Sequence, residues 1–268
     1  MRIALFNLDS VASNASTKAF IERFHDDIVF VGLSPPFRPK RGGLWSQARS
    51  HLLRSGLRFV VFLDINFVLP RLAAVLAPAR FTLTGLCRRY RIPVEPVHDV
   101  NDPAFIRRLA GMKIDLVVSS FFDQIFKPEF IAMPRLGIVN VHIAPLTDHR
   151  GPMPVIFGCL ADPPVFGVSL HYVESGIDTG PLLATEHFQL RHTASVLTMM
   201  RELQTRGMEA LAGLLPEIEA GRVRPIPQAG GAYQGFPAQT DISALYSRGY
   251  RLYDWSDVAW SIKSPAKI

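Results

Sequence analysis

The chain has 268 residues, 48% hydrophobic and 19% charged, which is enough to bury a core and excludes a disordered, collagen-like or coiled-coil chain. Its net charge of +6 favours anionic partners such as phosphate esters, nucleic acid or acidic lipid without choosing among them. The Lys and Arg residues are spread along the chain, which argues against nucleic acid.

The chain alternates short apolar runs with amphipathic stretches. RIALFNL reads as a first strand, a helix follows around Thr17–Phe24, and Ile28–Ser34 is a second strand. Pro35–Gly43 reads as a loop, because its prolines and glycines oppose regular structure. Helices are expected over Leu44–Ser55 and Thr82–Tyr90, and PVEPVHDV supplies an edge strand. Asp102 caps a helix that Pro103 opens. Ile114–Phe121 and Gly137–Ala144 are strands separated by a short helix at PEFIAM. A helix over PVIFGCLAD, a strand over VFGVSLHYV and a long helix over Ala194–Ala220 complete the pattern. The expected fold is therefore α/β: a Rossmann-like, mostly parallel open sheet with helices on both faces, over residues 1–192. Residues 193–268 are expected to add the long helix and a small appendage with short strands, because the texture past Gly221 turns rich in Pro, Gly and aromatics.

Gly56–Ala77 is the most apolar stretch. Arg58, Asp64, Pro70 and Arg71 interrupt it, so it fails as a membrane span and reads as a buried core element; a membrane-facing surface is the minority reading. The N-terminus is too short and polar for a signal peptide. Cys87 and Cys159 stand outside metal-ligand spacing and suit burial in a reducing, cytoplasmic setting. No histidine pair has ligand spacing with Cys or carboxylate, so no metal is expected.

Three side chains carry the chemistry. Asn140 and His142 stand two apart on one strand, on one side of it and near its carboxyl end, where an open parallel sheet places ligands. Asp178 sits in the loop ESGIDTGPL after another strand, between Gly176 and Gly180. An amide donor, a proton carrier and a carboxylate suit acyl transfer to an amine, with no Ser or Cys nucleophile required. By residue type alone such a set is common.

The spacing is more specific. Asn140-Val141-His142, Arg150-Gly151 and Asp178-Thr179-Gly180, with Gly167-Val168 opening the strand to His171, resemble the folate-dependent formyltransferases. That family includes glycinamide ribonucleotide transformylase, methionyl-tRNA formyltransferase and the sugar N-formyltransferases. The resemblance is good over Ile114–Ala220 and loose over the first hundred residues. It implies Asn140, His142 and Asp178 as catalytic residues, with protonated His142 and Asn140 stabilising the oxyanion. Asp178 would keep His142 charged and relay the amine proton. It also implies 10-formyltetrahydrofolate as formyl donor. Gln124 and Phe126 would meet the pterin through their backbones and Ile125 and Val173 would wall it, with Gly176 and Ile177 in the adjoining segment. The implied partner is a small-molecule amine, best matched by an amino-sugar nucleotide, with no nucleic acid; a homodimer stays open. Ala144, Thr147 and His149 depart from the family pattern, and NLDSVASNAS lacks the glycines of a phosphate loop, which disfavours glycinamide ribonucleotide. The alternatives are a 10-formyltetrahydrofolate hydrolase and a non-catalytic, membrane-proximal relative. His171 is expected to support the site by hydrogen bonding, and His51 has no assigned partner.

Overall fold

Alternation along the strands decides the architecture. In β1 (Ile3–Asn7), Ile3 and Leu5 enter one apolar cluster, and Ala4 and Phe6 enter another on the opposite face. The same split divides Val118 from Val117 in β4 (Leu116–Ser120) and Val139 from Ile138 in β5 (Ile138–His142). A strand buried on both faces must lie inside a sheet covered on both sides. The computed structural model describes residues 1–35, 43–76 and 82–262. With β2 (Ile28–Leu33), β3 (Val94–Pro96), β6 (Gly167–Tyr172) and β7 (Leu182–His187), it forms a seven-stranded sheet in the order β3-β2-β1-β4-β5-β6-β7. Strands β1 to β5 pair in parallel, and β6 and β7 run antiparallel. The expected Rossmann-like α/β fold is present. The strand order reverses between β1 and β4, which opens a crevice at the carboxyl ends of the strands.

Helices fall close to where the sequence places them: α1 (Asn14–Phe24), α2 (Gly43–Ser55), α5 (Leu83–Arg89), α6 (Pro103–Gly111), α7 (Pro128–Ile131), α8 (Pro154–Leu160) and α9 (Val196–Glu219). Asp102 caps α6 by accepting the Phe105 N–H at 2.8 Å, an interaction worth about 1 kcal/mol. The expected loop at Pro35–Gly43 lies almost wholly outside the described residues. One apolar cluster joins strand residues to Leu203 and Leu211 of α9 and to Leu245 and Leu252 beyond it. The core thus continues past residue 192 and past the change of texture at Gly221.

The apolar stretch after Gly56 is helical: α3 (Leu57–Leu63), a π-helical turn (Asp64–Val68) and α4 (Leu69–Leu76). Pro70 has no N–H to give to the Asn66 carbonyl four residues back. That carbonyl accepts the Val11 N–H at 2.9 Å instead, and Asn66 Oδ1 accepts the Ala12 N–H at 3.0 Å. The helical layer is thus pinned to the loop after β1. Among the described residues no helix is long and apolar enough to cross a membrane.

The C-terminal region corrects one expectation. In place of short strands it holds α10 (Gln239–Ser247) and α11 (Trp255–Ile262), and pairs with the body through the isolated bridges Arg150 to Tyr233 and Leu182 to Ile226. Asp241 accepts the Ala238 N–H at 2.7 Å and starts α10, a local signal that the Pro and Gly content masks.

Candidate active site

A cleft of about 650 Å³ opens at the carboxyl ends of β4 and β5. Asn140, His142, His171 and Asp178 all line it. His142 Nδ1 lies 3.8 Å from Asp178 Oδ2, and His171 Nε2 lies 3.6 Å from Asp178 Oδ1. Asn140 Nδ2 lies 3.0 Å from His171 Nε2. The three residues expected to act together, from two different loops and strands, are thus brought together, with His171 as the fourth member.

The carbonyls around them set the tautomers. His142 Nε2 lies 3.1 Å from the His149 carbonyl, which can only accept, so Nε2 carries a hydrogen. His171 Nδ1 lies 2.8 Å from the Tyr172 carbonyl, so it carries one too, and its Nε2 is left to accept from the Asn140 amide. Burial lowers the His142 pKa below its ordinary 6.5, and the opposing pull of Asp178 does not restore it. His142 Nδ1 faces the Asp178 carboxylate. Burial raises the Asp178 carboxyl, but His142, His171 and the Gly151 N–H outweigh it and hold the group at about 2. Asp178 is therefore ionised at rest.

The glycines of the two motifs have a packing cause. Gly151 has φ +121°, and a Cβ there would lie 2.0 Å from the Gln234 carbonyl oxygen. Its N–H donates to Asp178 Oδ2 at 2.9 Å. A Cβ on Gly180 would lie 1.9 Å from the Tyr172 carbonyl oxygen. Both positions press loop backbone against backbone, which fixes Asp178 over β5. Asp178 has φ +52°, a region that Asp tolerates better than most residues.

Buried Arg150 ties the C-terminal segment to this frame. It donates to Gln228 Oε1 at 2.9 Å and to the Gly231 carbonyl at 3.3 Å, while Gln228 Nε2 donates back to the Gly180 carbonyl. His149 Nδ1 and Gln234 Oε1 are 2.9 Å apart. The segment so held carries Tyr233 and Phe236 into the cleft wall.

The residues expected to meet the pterin also line the cleft: Gln124, Ile125, Phe126, Val173, Gly176 and Ile177. Ile125 and Ile177 are exposed there, whereas Phe126 is buried against Phe122 and Phe130. The Gln124 side chain is tied down by Val100 N–H, Val97 O and Ser34 Oγ, which leaves its backbone to the cleft. The opposite wall, Gln47, His51 and Arg54 of α2 with Tyr233 and Phe236, has no counterpart in the sequence reading. His51 packs edge-on against Phe236 at 4.8 Å, a contact between distant segments that no local pattern signals. No cluster of metal-ligating side chains occurs among the described residues.

Residues 86–215 match the formyl transferase family model. The methionyl-tRNA formyltransferase of Roseiflexus castenholzii is 31% identical over 175 residues, 65% of this chain and 54% of that one. These matches support a folate-dependent formyltransferase family for the segment that carries Asn140, His142 and Asp178. It spans about half the length of the curated relatives it matches. The fold of a sugar N-formyltransferase from Shewanella sp. superposes with a TM-score of 0.57 over 91% of this chain and 80% of that one, at 16% identity. That of an N-formyltransferase from Helicobacter canadensis, in complex with folinic acid and dTDP-3-aminofucose, gives 0.56 over 88% and 71%, at 15%. The matched segment runs from α5 through α9 and contains every catalytic candidate.

Proposed function

We propose that the chain transfers a formyl group from 10-formyltetrahydrofolate to a primary amine of a small molecule. The observation that carries this reading is the joined set Asn140, His142, His171 and Asp178 at one end of the cleft, in a segment that matches this family. The cleft has the size of an ordinary cofactor site. The donor fits its residues: exposed Ile125 and Ile177 offer apolar surface, and the Gln124 and Phe126 backbones offer polar groups beside it. When bound, the donor supplies an activated formyl group.

The side chains divide the work by their protonation states. Asn140, oriented by His171, has a second amide hydrogen to give to the oxygen that gains charge during acyl transfer. His142 Nδ1, whose basicity burial lowers, takes the proton that the attacking amine must lose. Ionised Asp178, 3.8 Å from that same nitrogen, stabilises the imidazolium so formed. As the bond from amine nitrogen to formyl carbon forms, the bond to the donor nitrogen breaks. His142 can return its proton to that nitrogen.

The best-supported acceptor is an amino-sugar nucleotide. The Helicobacter canadensis neighbour binds dTDP-3-aminofucose, and the α2 wall of this cleft, with Gln47, His51, Arg54, Tyr233 and Phe236, offers rings for stacking and polar groups for hydroxyls or phosphate. The test is tetrahydrofolate release by the purified protein with and without a panel of amines led by amino-sugar nucleotides. Release only with an amine supports the transferase. Release with water alone moves the activity to hydrolysis, and no release with any amine contradicts the reading.

A further inference from the structure

Outside the cleft, the exposed large hydrophobic residues among the described ones are concentrated in one place. Trp45, Leu52, Leu53, Leu57, Leu72 and Trp255 lie on α2, α3, α4 and α11; Ile226 alone lies elsewhere. These helices pack side by side, α2 on α3 and α11 on α4. Trp45, Arg49, Leu52 and Leu53 recur at the spacing of one helical stripe. That stripe faces solvent, with Trp45 84% exposed, while Gln47 and His51, across α2 from Trp45, line the cleft. The helix therefore turns apolar side chains outward and polar ones inward, the reverse of a surface helix on a globular protein.

Charge follows the same region. The Lys and Arg residues are spaced out along the chain, but acids are not spaced with them. Residues 28–94 hold eleven Lys and Arg and a single acid, Asp64, whereas the rest of the chain holds eighteen Lys and Arg against twenty-two acids. The excess of basic over acidic residues thus falls in the sequence segment that includes the apolar stripe, with Arg49 exposed in the stripe and Arg58 exposed on α3. Tryptophan and leucine beside arginine, with few acids, are the composition of a helix lying in the headgroup region of an anionic bilayer.

We propose that the outer face of α2 to α4, with Trp255, seats on an anionic membrane surface. Docking of this kind places the headgroups about one helix diameter, on the order of 10 Å, from the cleft wall that α2 also builds. The acceptor class that this brings to the cleft is an amine carried at a membrane surface; this extension rests on the formyl-transfer reading.

The test is flotation of the full chain with phosphatidylcholine vesicles, with and without phosphatidylglycerol. Binding is expected only to the anionic vesicles, with a blue shift in tryptophan fluorescence. It should fall at least tenfold in the combined variant Trp45→Ser, Leu52→Ser, Leu53→Ser, none of which lines the cleft. Arg49→Gln, and ionic strength raised to about 1 M, should weaken it as well. No binding to either vesicle, equal binding to both, or full binding by the triple variant overturns the proposal. So does a wild-type dimer that the triple variant dissociates without any vesicle binding, which makes the face an interface between copies. If the protein floats but formylates only water-soluble amines, the acceptor extension alone fails. If it floats and formylates nothing, the formyl-transfer reading fails and the docking surface stands.

Discussion

The amide nitrogen of Asn140 lies 3.0 Å from Nε2 of His171. Because His171 donates its other ring hydrogen to the Tyr172 carbonyl, it can only accept from Asn140, and this fixes which way the amide points. Replacing His171 by Leu removes the acceptor and lets the amide rotate. Turnover should fall about 10- to 100-fold, about 1.5–3 kcal/mol, with little change in donor KM. Steady-state kinetics would separate the two effects; a change confined to KM contradicts a positioning role for His171.

Replacing Asp178 by Asn keeps the shape and suits φ +52°, so the fold should persist. It removes the charge that stabilises an imidazolium at His142. Turnover should drop at least about a hundredfold. The stability held by the depressed carboxyl, from 3.8 to about 2, amounts to about 2 kcal/mol at neutral pH and should be lost with it. Denaturant melts of the variant and wild type at two pH values would check this.

Acid should act in two stages. His142 has a folded pKa below 6.5, so the unfolded chain binds its proton first. Its contribution is complete above 6.5 and is lost as pH falls below that value. Asp178 has a folded pKa of about 2 against 3.8, and its contribution is lost between those values. Both terms lower stability on acidification. Activity that needs neutral His142 should be level down through 6.5 and fall only at lower pH, where the lowered folded pKa lies. A rate profile that rises on acidification through this range contradicts the neutral resting state.

The Asn-x-His pair, the Asp loop and the parallel sheet were legible because each rests on local spacing: period two along β5, and short apolar runs broken by helices. The downward pull of burial on the His142 pKa was not, because it depends on packing that includes the His149 loop, seven residues away and folded back over the ring. The α2 wall and Phe236 were hidden for the same reason, since segments distant in sequence meet there. The appendage was misread as strands because Pro and Gly dominate its composition, while the helix starts at Ala238–Asp241 and Trp255 are short and local.

Arg150 and Gln228 link the C-terminal segment to the loop of Asp178. Gln228→Ala leaves a buried guanidinium short of an acceptor and frees the Gly180 carbonyl, at a cost of about 1–3 kcal/mol. The expected readout is faster proteolysis of residues 223–237 and a raised acceptor KM, with donor binding retained. Unchanged proteolysis and kinetics would show that the segment is held by other contacts.

Gly180→Ala places a methyl group 1.9 Å from the Tyr172 carbonyl oxygen. The backbone must part there, costing about 1–3 kcal/mol and moving Asp178 off His142. Thermal melts and turnover should both decline. Retention of both would mean that the loop is not packed this closely.

The most direct measurement is the rate of tetrahydrofolate formation from 10-formyltetrahydrofolate, with amino-sugar nucleotides as acceptors, in wild type and Asp178→Asn alongside donor binding by each. Amine-dependent turnover in wild type, lost in the variant while the donor still binds, is the predicted result. Equal turnover in the two proteins, or no donor binding by wild type, would contradict the assignment of this cleft.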